Sequence, residues 1–342
     1  MGAAVLTAEQ MARYSRQIIL KEIGGIGQRH LLDAHIMVLG VGALGASALL
    51  YLGGAGVGRL TLVDDARVAD SLLPGDIIHE RIHAGQPVVY SAKQRIHAVN
   101  PEVEISALDL PLSDDYVIDK IKSVDLVLDL SADLSLKWDQ VCIQQRVPLF
   151  SGWVDQHGGW AAASLVGVES EAVCMRCQGI KQRGNVTAIE PFSGLLAGMV
   201  GTVLATEACK WLMGLGTGLR GQRWCFSPFD TAFKAYPVER QGDCPVCSKG
   251  SVADKVVEDR QEDDAGAACI DITTEQCPMT FVKVKLKLES MPPGQELTIR
   301  LNGGEPLHNV PLSLVDEGCW VSSPMADDQT GTFILKTRRP TS

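Results

Sequence analysis

The chain has 342 residues, 46% of them hydrophobic, and a net charge of −10 from 41 acidic against 31 basic side chains. That length predicts two domains. The acidic balance excludes non-specific nucleic-acid binding, which needs basic patches against phosphate, and disfavours docking on an anionic membrane surface.

The first ten residues lack a basic region followed by an apolar core, so no signal peptide is expected. Ten cysteines without a secretion signal point to a reducing, cytoplasmic compartment, where metal binding or thiol chemistry outranks disulfides. Residues 7 to 21 read as a helix. Thr7 with Gln10 makes a capping-box pattern, and Met11, Tyr14, Ile18 and Ile19 form an apolar stripe. Arg13, Arg16 and Lys21 add basic charge to it, which by itself reads as a solvated face. Gly24, Gly25 and Gly27 are read as breakers.

The stretch from Ile36 to Asp64 reads as strand, tight turn, helix, strand and acidic residue. Its turn is Gly40-Val41-Gly42-Ala43-Leu44-Gly45. Gly40 allows the sharp turn, Gly42 lets backbone N–H groups approach a phosphate, and Gly45 lets helix and strand pack closely. Asp64 stands where a carboxylate accepts from ribose hydroxyls. This is the frame of a nucleotide site; the blander reading is a glycine-rich turn between core elements.

Residues 66 to 87 read as irregular, with Pro74, Gly75, Gly85 and Pro87 as breakers, and helical periodicity resumes over Val88–Val99. Strand-like runs cover 125–130, 147–150 and 161–168. Ser193 to Met213 is apolar but carries Glu207 and Lys210, which suits a buried core helix better than a membrane span. Alternating strands and helices predict an α/β fold with a doubly wound, mostly parallel, Rossmann-like sheet.

Two cysteine pairs, Cys174/Cys177 and Cys244/Cys247, have the spacing that lets two thiolates reach one metal. Four such ligands make a closed, structural zinc site; a redox pair or unrelated thiols are the alternatives. Cys142, Cys209, Cys225, Cys269 and Cys319 read as buried or incidental. Residues 249–267 are acidic and poor in large apolar side chains, as in a linker. A small α+β domain is predicted over 268–342, with strands near 268–272, 296–301, 320–322 and 332–336 and helices near 277–290 and 309–317. Cys277 opens the first of these helices, where the dipole favours thiolate, and Pro278 suits helix position N1; the blander reading of Cys277 is a buried structural thiol.

Residues 1–248 resemble the ThiF/MoeB/HesA family, bacterial relatives of ubiquitin-activating enzymes. The match lies in Arg13-Tyr14-Ser15-Arg16-Gln17, Gly40–Gly45, Ala55–Gly58, Leu62-Val63-Asp64, Gly85-Gln86-Pro87, Asp125–Asp129 and both cysteine pairs. Residues 268 to about 325 resemble the TusA sulfur carriers through Asp271, Cys277-Pro278-Met279-Thr280 and Gly294. The first resemblance implies adenylation of a ubiquitin-like sulfur carrier with ATP and magnesium, and a dimer in which Arg16 reaches the partner's nucleotide site. The second implies persulfide relay on Cys277, loaded by a cysteine desulfurase or another sulfur donor.

Departures from the first pattern are concentrated at its charged positions. Ala66 stands for an aspartate, Leu72 for an asparagine, Gly75 for an arginine, Val88 for a lysine, Ala132 for the magnesium-binding aspartate and Ala188 for a cysteine. Asp133 sits one place beyond that aspartate as a possible substitute. Three readings follow: a sulfur-transfer protein with an impaired adenylation site, an active adenylyltransferase with substituted site groups, or a scaffold that docks a ubiquitin-like carrier. Under the first, the chain is a homodimer or pairs with an intact homologue that receives Arg16.

Overall fold

The computed structural model describes residues 6–131, 136–155, 158–169, 172–180, 193–227, 232–247, 268–327 and 331–340. They fall into two compact units, Leu31–Val256, and Met1–His30 together with Val257–Ser342. The acidic stretch 249–267, Ala132, Asp133 and Ala188 lie outside the described residues.

In the larger unit the elements run β1 (His35–Leu39), α3 (Ala43–Ala55), β2 (Arg59–Val63), α4 (Val88–Val99), β3 (Glu104–Leu108), α5 (Asp115–Ile121), β4 (Leu126–Asp129), α6 (Lys137–Gln145), β5 (Leu149–Asp155), β6 (Gly158–Ser164), α7 (Ser193–Leu212), β7 (Gln222–Ser227) and β8 (Ala232–Pro237). Two helices precede them in the chain, α1 (Ala8–Ile18), which belongs to the smaller unit, and α2 (Gly24–Asp33), which belongs to it through His30. The sheet order is β3-β2-β1-β4-β5-β6-β7-β8. β3 through β5 pair in parallel, with Val38 beside Leu62 on one side and Leu128 on the other. β5 through β8 pair antiparallel.

Strand alternation divides the core into two layers. Ile36 and Val38 face one cluster with Leu44, Leu49, Ile96 and Leu204 from α3, α4 and α7. Met37 and Leu39 face the other, with Val117, Ile121 and Trp138 from α5 and α6. Helices therefore cover both faces, as the sequence predicts. Helix α7 is long and apolar enough to cross a membrane by composition. It packs against α3, β5 and β6, as a core helix does.

The capping box forms as read: Thr7 Oγ1 accepts from Gln10 N and Gln10 Oε1 from Thr7 N, both at 3.1 Å. The glycine breakers need correcting. Helix α1 already ends at Ile18, with Ile19 as its C-cap, and Gly24, Gly25 and Gly27 do not break a helix but lie in the first turn of α2. Helices α5 and α6 and strands β3, β7 and β8 have no counterpart in the sequence reading; they are short, and β8 is exposed along most of its length.

The smaller unit adds β9 (Ala268–Asp271), α8 (Met279–Glu289), β10 (Glu296–Leu301), α9 (Glu305–Asp316), β11 (Trp320–Val321), β12 (Met325–Asp327) and β13 (Thr332–Arg338). Its sheet runs β11-β13-β10-β9, with β12 paired to β13. Pro278 stands at the N-cap of α8, one place before the predicted N1. Helix α9 begins four residues earlier than predicted and runs through Pro311. Leu288, Leu297, Ile299, Val310, Leu314 and Leu335 fill the core.

Candidate functional site

The glycine turn sits at the C-terminal ends of β1 and β4, where the strand order reverses direction. Open α/β sheets bind ligands at such switch points. Gly40 has φ +90°, and a Cβ there would lie 2.7 Å from the Ser131 backbone, so the turn closes only with glycine. A Cβ on Gly45 would lie 2.8 Å from Gly40 O, which gives the predicted helix–strand approach. Around Gly42 nothing lies within 4 Å of that position, and Gly42 caps α3 without a side-chain acceptor. The turn leaves an open face at Gly42 beside the first-turn N–H groups of α3.

Val41 is held from both sides. Its N–H donates to Asp64 Oδ2 at 2.8 Å, and its carbonyl lies 3.2 Å from His79 Nε2. Asp64 Oδ1 accepts from Ala66 N at 2.9 Å. Each carboxylate oxygen keeps a second lone pair for a sugar hydroxyl. His79 Nδ1 lies 3.0 Å from Ser91 Oγ, which lies 3.2 Å from His83 Nδ1. Burial pushes the His79 value down, favouring neutral imidazole, with Nε2–H donating to Val41. His79, Ser91 and Asp76 were missed by the sequence reading. They lie in an irregular stretch and the helix after it, with no motif to mark them.

Asp76 is buried, and burial followed by the charge of Asp64 pushes its carboxyl up to about 6. The folded chain thus holds a proton between roughly pH 4 and 6 that the unfolded chain has released, so stability falls as pH rises through that window. Two pKa units correspond to about 3 kcal/mol. Asp76→Asn is expected to stabilise the protein by about 1–3 kcal/mol at pH 8 and by nothing at pH 4. Paired thermal melts check this; an equal effect at both pH values contradicts it.

The positions that carry cations in the resembled pattern lack them here. Val88 is only 3% exposed and packs in the core. Gly75 sits beside Ala43 at the start of α3, where a Cβ would lie 3.4 Å from Gly194 Cα. The site fits the sugar end of a nucleotide through Asp64. Neither position supplies charge for a triphosphate.

Cys174, Cys177, Cys244 and Cys247 are all buried, with their sulfurs within 4.8 Å of one another. Cys174 Sγ lies 3.6 Å from Cys244 Sγ, and Cys177 Sγ lies 3.5 Å from Cys247 Sγ. Four sulfurs about 2.3 Å from one zinc ion stand about 3.8 Å apart, so the cluster fits that metal. The N–H groups of Cys177 and Gln241 donate to Cys174 Sγ and Cys177 Sγ, each at 3.4 Å. Asp139 on α6 accepts from Met175 N at 2.9 Å and steadies the first knuckle.

In the smaller unit Cys277 is exposed on the loop between β9 and α8. The loop is anchored. Asp271 Oδ1 accepts from Thr273 N and Oγ1, and Asn302 Nδ2 donates to Thr273 O at 2.6 Å. Glu275 pairs with Lys283 at 2.5 Å, and Met279 N donates to Gln276 O at 2.8 Å. Cys319 is half-buried, and burial pushes its thiol up. Arg16 lies exposed on α1.

A family model described as the ThiF family matches residues 14–246. The chain belongs to the ThiF family. A second model, sulfurtransferase TusA, matches residues 269–337. The SAMP-activating enzyme E1 of Haloferax volcanii is 34% identical over 72% of this ThiF-family chain and 92% of its own. Molybdopterin-synthase adenylyltransferase of Salmonella typhimurium is 32% identical over 72% of this chain and its whole length. The adenylyltransferase and sulfurtransferase MOCS3 of Aedes aegypti is 27% identical over 91% of this chain and 69% of its own. The crystal structure of Escherichia coli MccB with MccA-N7isoASN shares the fold at a TM-score of 0.61 and 17% identity, covering 72% of this chain and 77% of that one.

Proposed function

We propose that the chain is a sulfur-transfer protein of a ubiquitin-like sulfur-carrier activation system, with Cys277 relaying persulfide sulfur and its ThiF unit impaired in adenylation. The observation that carries this reading is an exposed cysteine on an anchored loop of a TusA segment, in one chain with a ThiF unit. The name of the Aedes aegypti relative, which aligns across 91% of this chain, pairs the two activities. The partners are a ubiquitin-like sulfur carrier, a cysteine desulfurase or other sulfur donor, and a second protomer, identical or homologous.

In the relay, Cys277 Sγ as thiolate attacks the outer sulfur of a donor persulfide. The new S–S bond forms as the donor's breaks, and the donor leaves as thiolate. No net oxidation occurs. The predicted zinc would hold the cysteine knuckles together and take no part in this step.

Mass spectrometry after incubation with a desulfurase and cysteine tests the relay. One added sulfur atom is expected on Cys277 and none on Cys319. Cys277→Ala should abolish loading, and equal loading of that variant overturns the assignment. A scaffold that only docks a carrier would bind it without ever becoming loaded.

A further inference from the structure

Helix α2 begins with Gly24-Gly25-Ile26-Gly27, a poor start for a helix that must stand alone. Its first-turn N–H groups find their acceptor 264 residues away: Gly25 N donates to both carboxylate oxygens of Glu289, at 2.9 and 3.1 Å. Glu289 lies at the end of α8. A Cβ on Gly25 would stand 2.0 Å from Leu286 Cδ2, and one on Gly24 would stand 2.4 Å from Glu289 Oε1. The two glycines therefore make a seat for α8. Gly24, at φ +59°, also turns the chain into α2.

The second grip is Lys285, whose side chain is 6% exposed. Its ammonium donates to Leu20 O at 3.3 Å and to Glu317 Oε1 at 2.6 Å. One residue of α8 thus holds the turn that follows α1, while another caps α2. A buried ammonium and carboxylate are retained only when paired and hydrogen-bonded. Each here meets part of that need in the arm. Burial pushes the Glu289 carboxyl up, against Lys285, the N–H groups of Gly25 and Ile26, and Arg29, which hold it down.

We infer that α8 carries a built docking surface, Lys285, Leu286 and Glu289, whose partner is this chain's own N-terminal arm, residues 6–30. The sulfur-carrier module is then discontinuous, made of both ends of the chain. The docked arm puts Arg16 and Cys277 in one compact unit. Any protein that meets the arm meets the carrier as well.

Hydrogen exchange on the full chain tests this. Glu289→Ala removes the acceptor that caps α2. It is expected to speed exchange of the Gly25–Arg29 amides at least tenfold while β10 and β13 amides keep their rates. Glu289→Gln keeps an acceptor oxygen and should stay within about threefold of wild type. Unchanged rates at Gly25–Arg29 in Glu289→Ala overturn the docking surface. So does acceleration of β10 and β13 as large as that of the arm, because it marks loss of the carrier fold itself.

Discussion

Pyrophosphate exchange with ATP and a ubiquitin-like carrier is expected to run at least about a thousandfold slower with this chain alone than with the Salmonella typhimurium relative. Attack of a carboxylate on the α-phosphorus builds charge on the triphosphate, and each preorganised donor is worth roughly 10²–10³-fold in rate. Here glycine occupies position 75, and Val88 is sealed in the core. Two lost donors already exceed a thousandfold, although such losses need not add. Exchange at the relative's rate would overturn the impairment and support an active adenylyltransferase using substitutes such as Asp133. A mixture with an intact homologue asks about Arg16, which is exposed and available. If it is donated to the partner's nucleotide, Arg16→Ala slows the mixture at least tenfold without preventing assembly. An unchanged rate removes that role and leaves the homodimer.

Loss of the cysteine cluster is the second large effect. The purified chain is expected to carry about one equivalent of zinc, and Cys244→Ser less than half. Closed thiolate sites supply on the order of 10 kcal/mol of folding free energy in small peptides at neutral pH. A sizeable core makes this chain less dependent on its metal, so about 5 kcal/mol is a fair expectation for the variant, or roughly 10–20 °C in melting temperature. The four sulfurs are buried, so none can be rehydrated when the ion leaves. Metal analysis with a melt decides it. Less than half an equivalent in wild type never exposed to chelator counts against a structural zinc site.

Where a residue's neighbours in sequence are also its neighbours in space, the fold could be read in advance. The run from Ile36 to Asp64 carries its own strand, turn and helix, and both cysteine knuckles are local. Thr7 and Gln10 cap their helix from three residues away. The missed features depend on distant contacts. Gly24 and Gly25 look like breakers until Glu289 is seen to cap the helix that they open. His79 matters because the fold brings Val41 to it across 38 positions. The missing cations at Gly75 and Val88 were legible only against the family pattern; their burial and packing were not.

The two halves of the cysteine cluster stand 70 residues apart. During synthesis the first knuckle leaves the ribosome well before the second exists. At about 5–20 residues per second, that interval is roughly 4–14 s. Cys174 and Cys177 spend it as an unpaired dithiol, open to peroxide and to the wrong metal. Chains made under oxidative stress or zinc limitation are therefore expected to carry less zinc than chains completed earlier, a difference that metal analysis of the two pools reads directly.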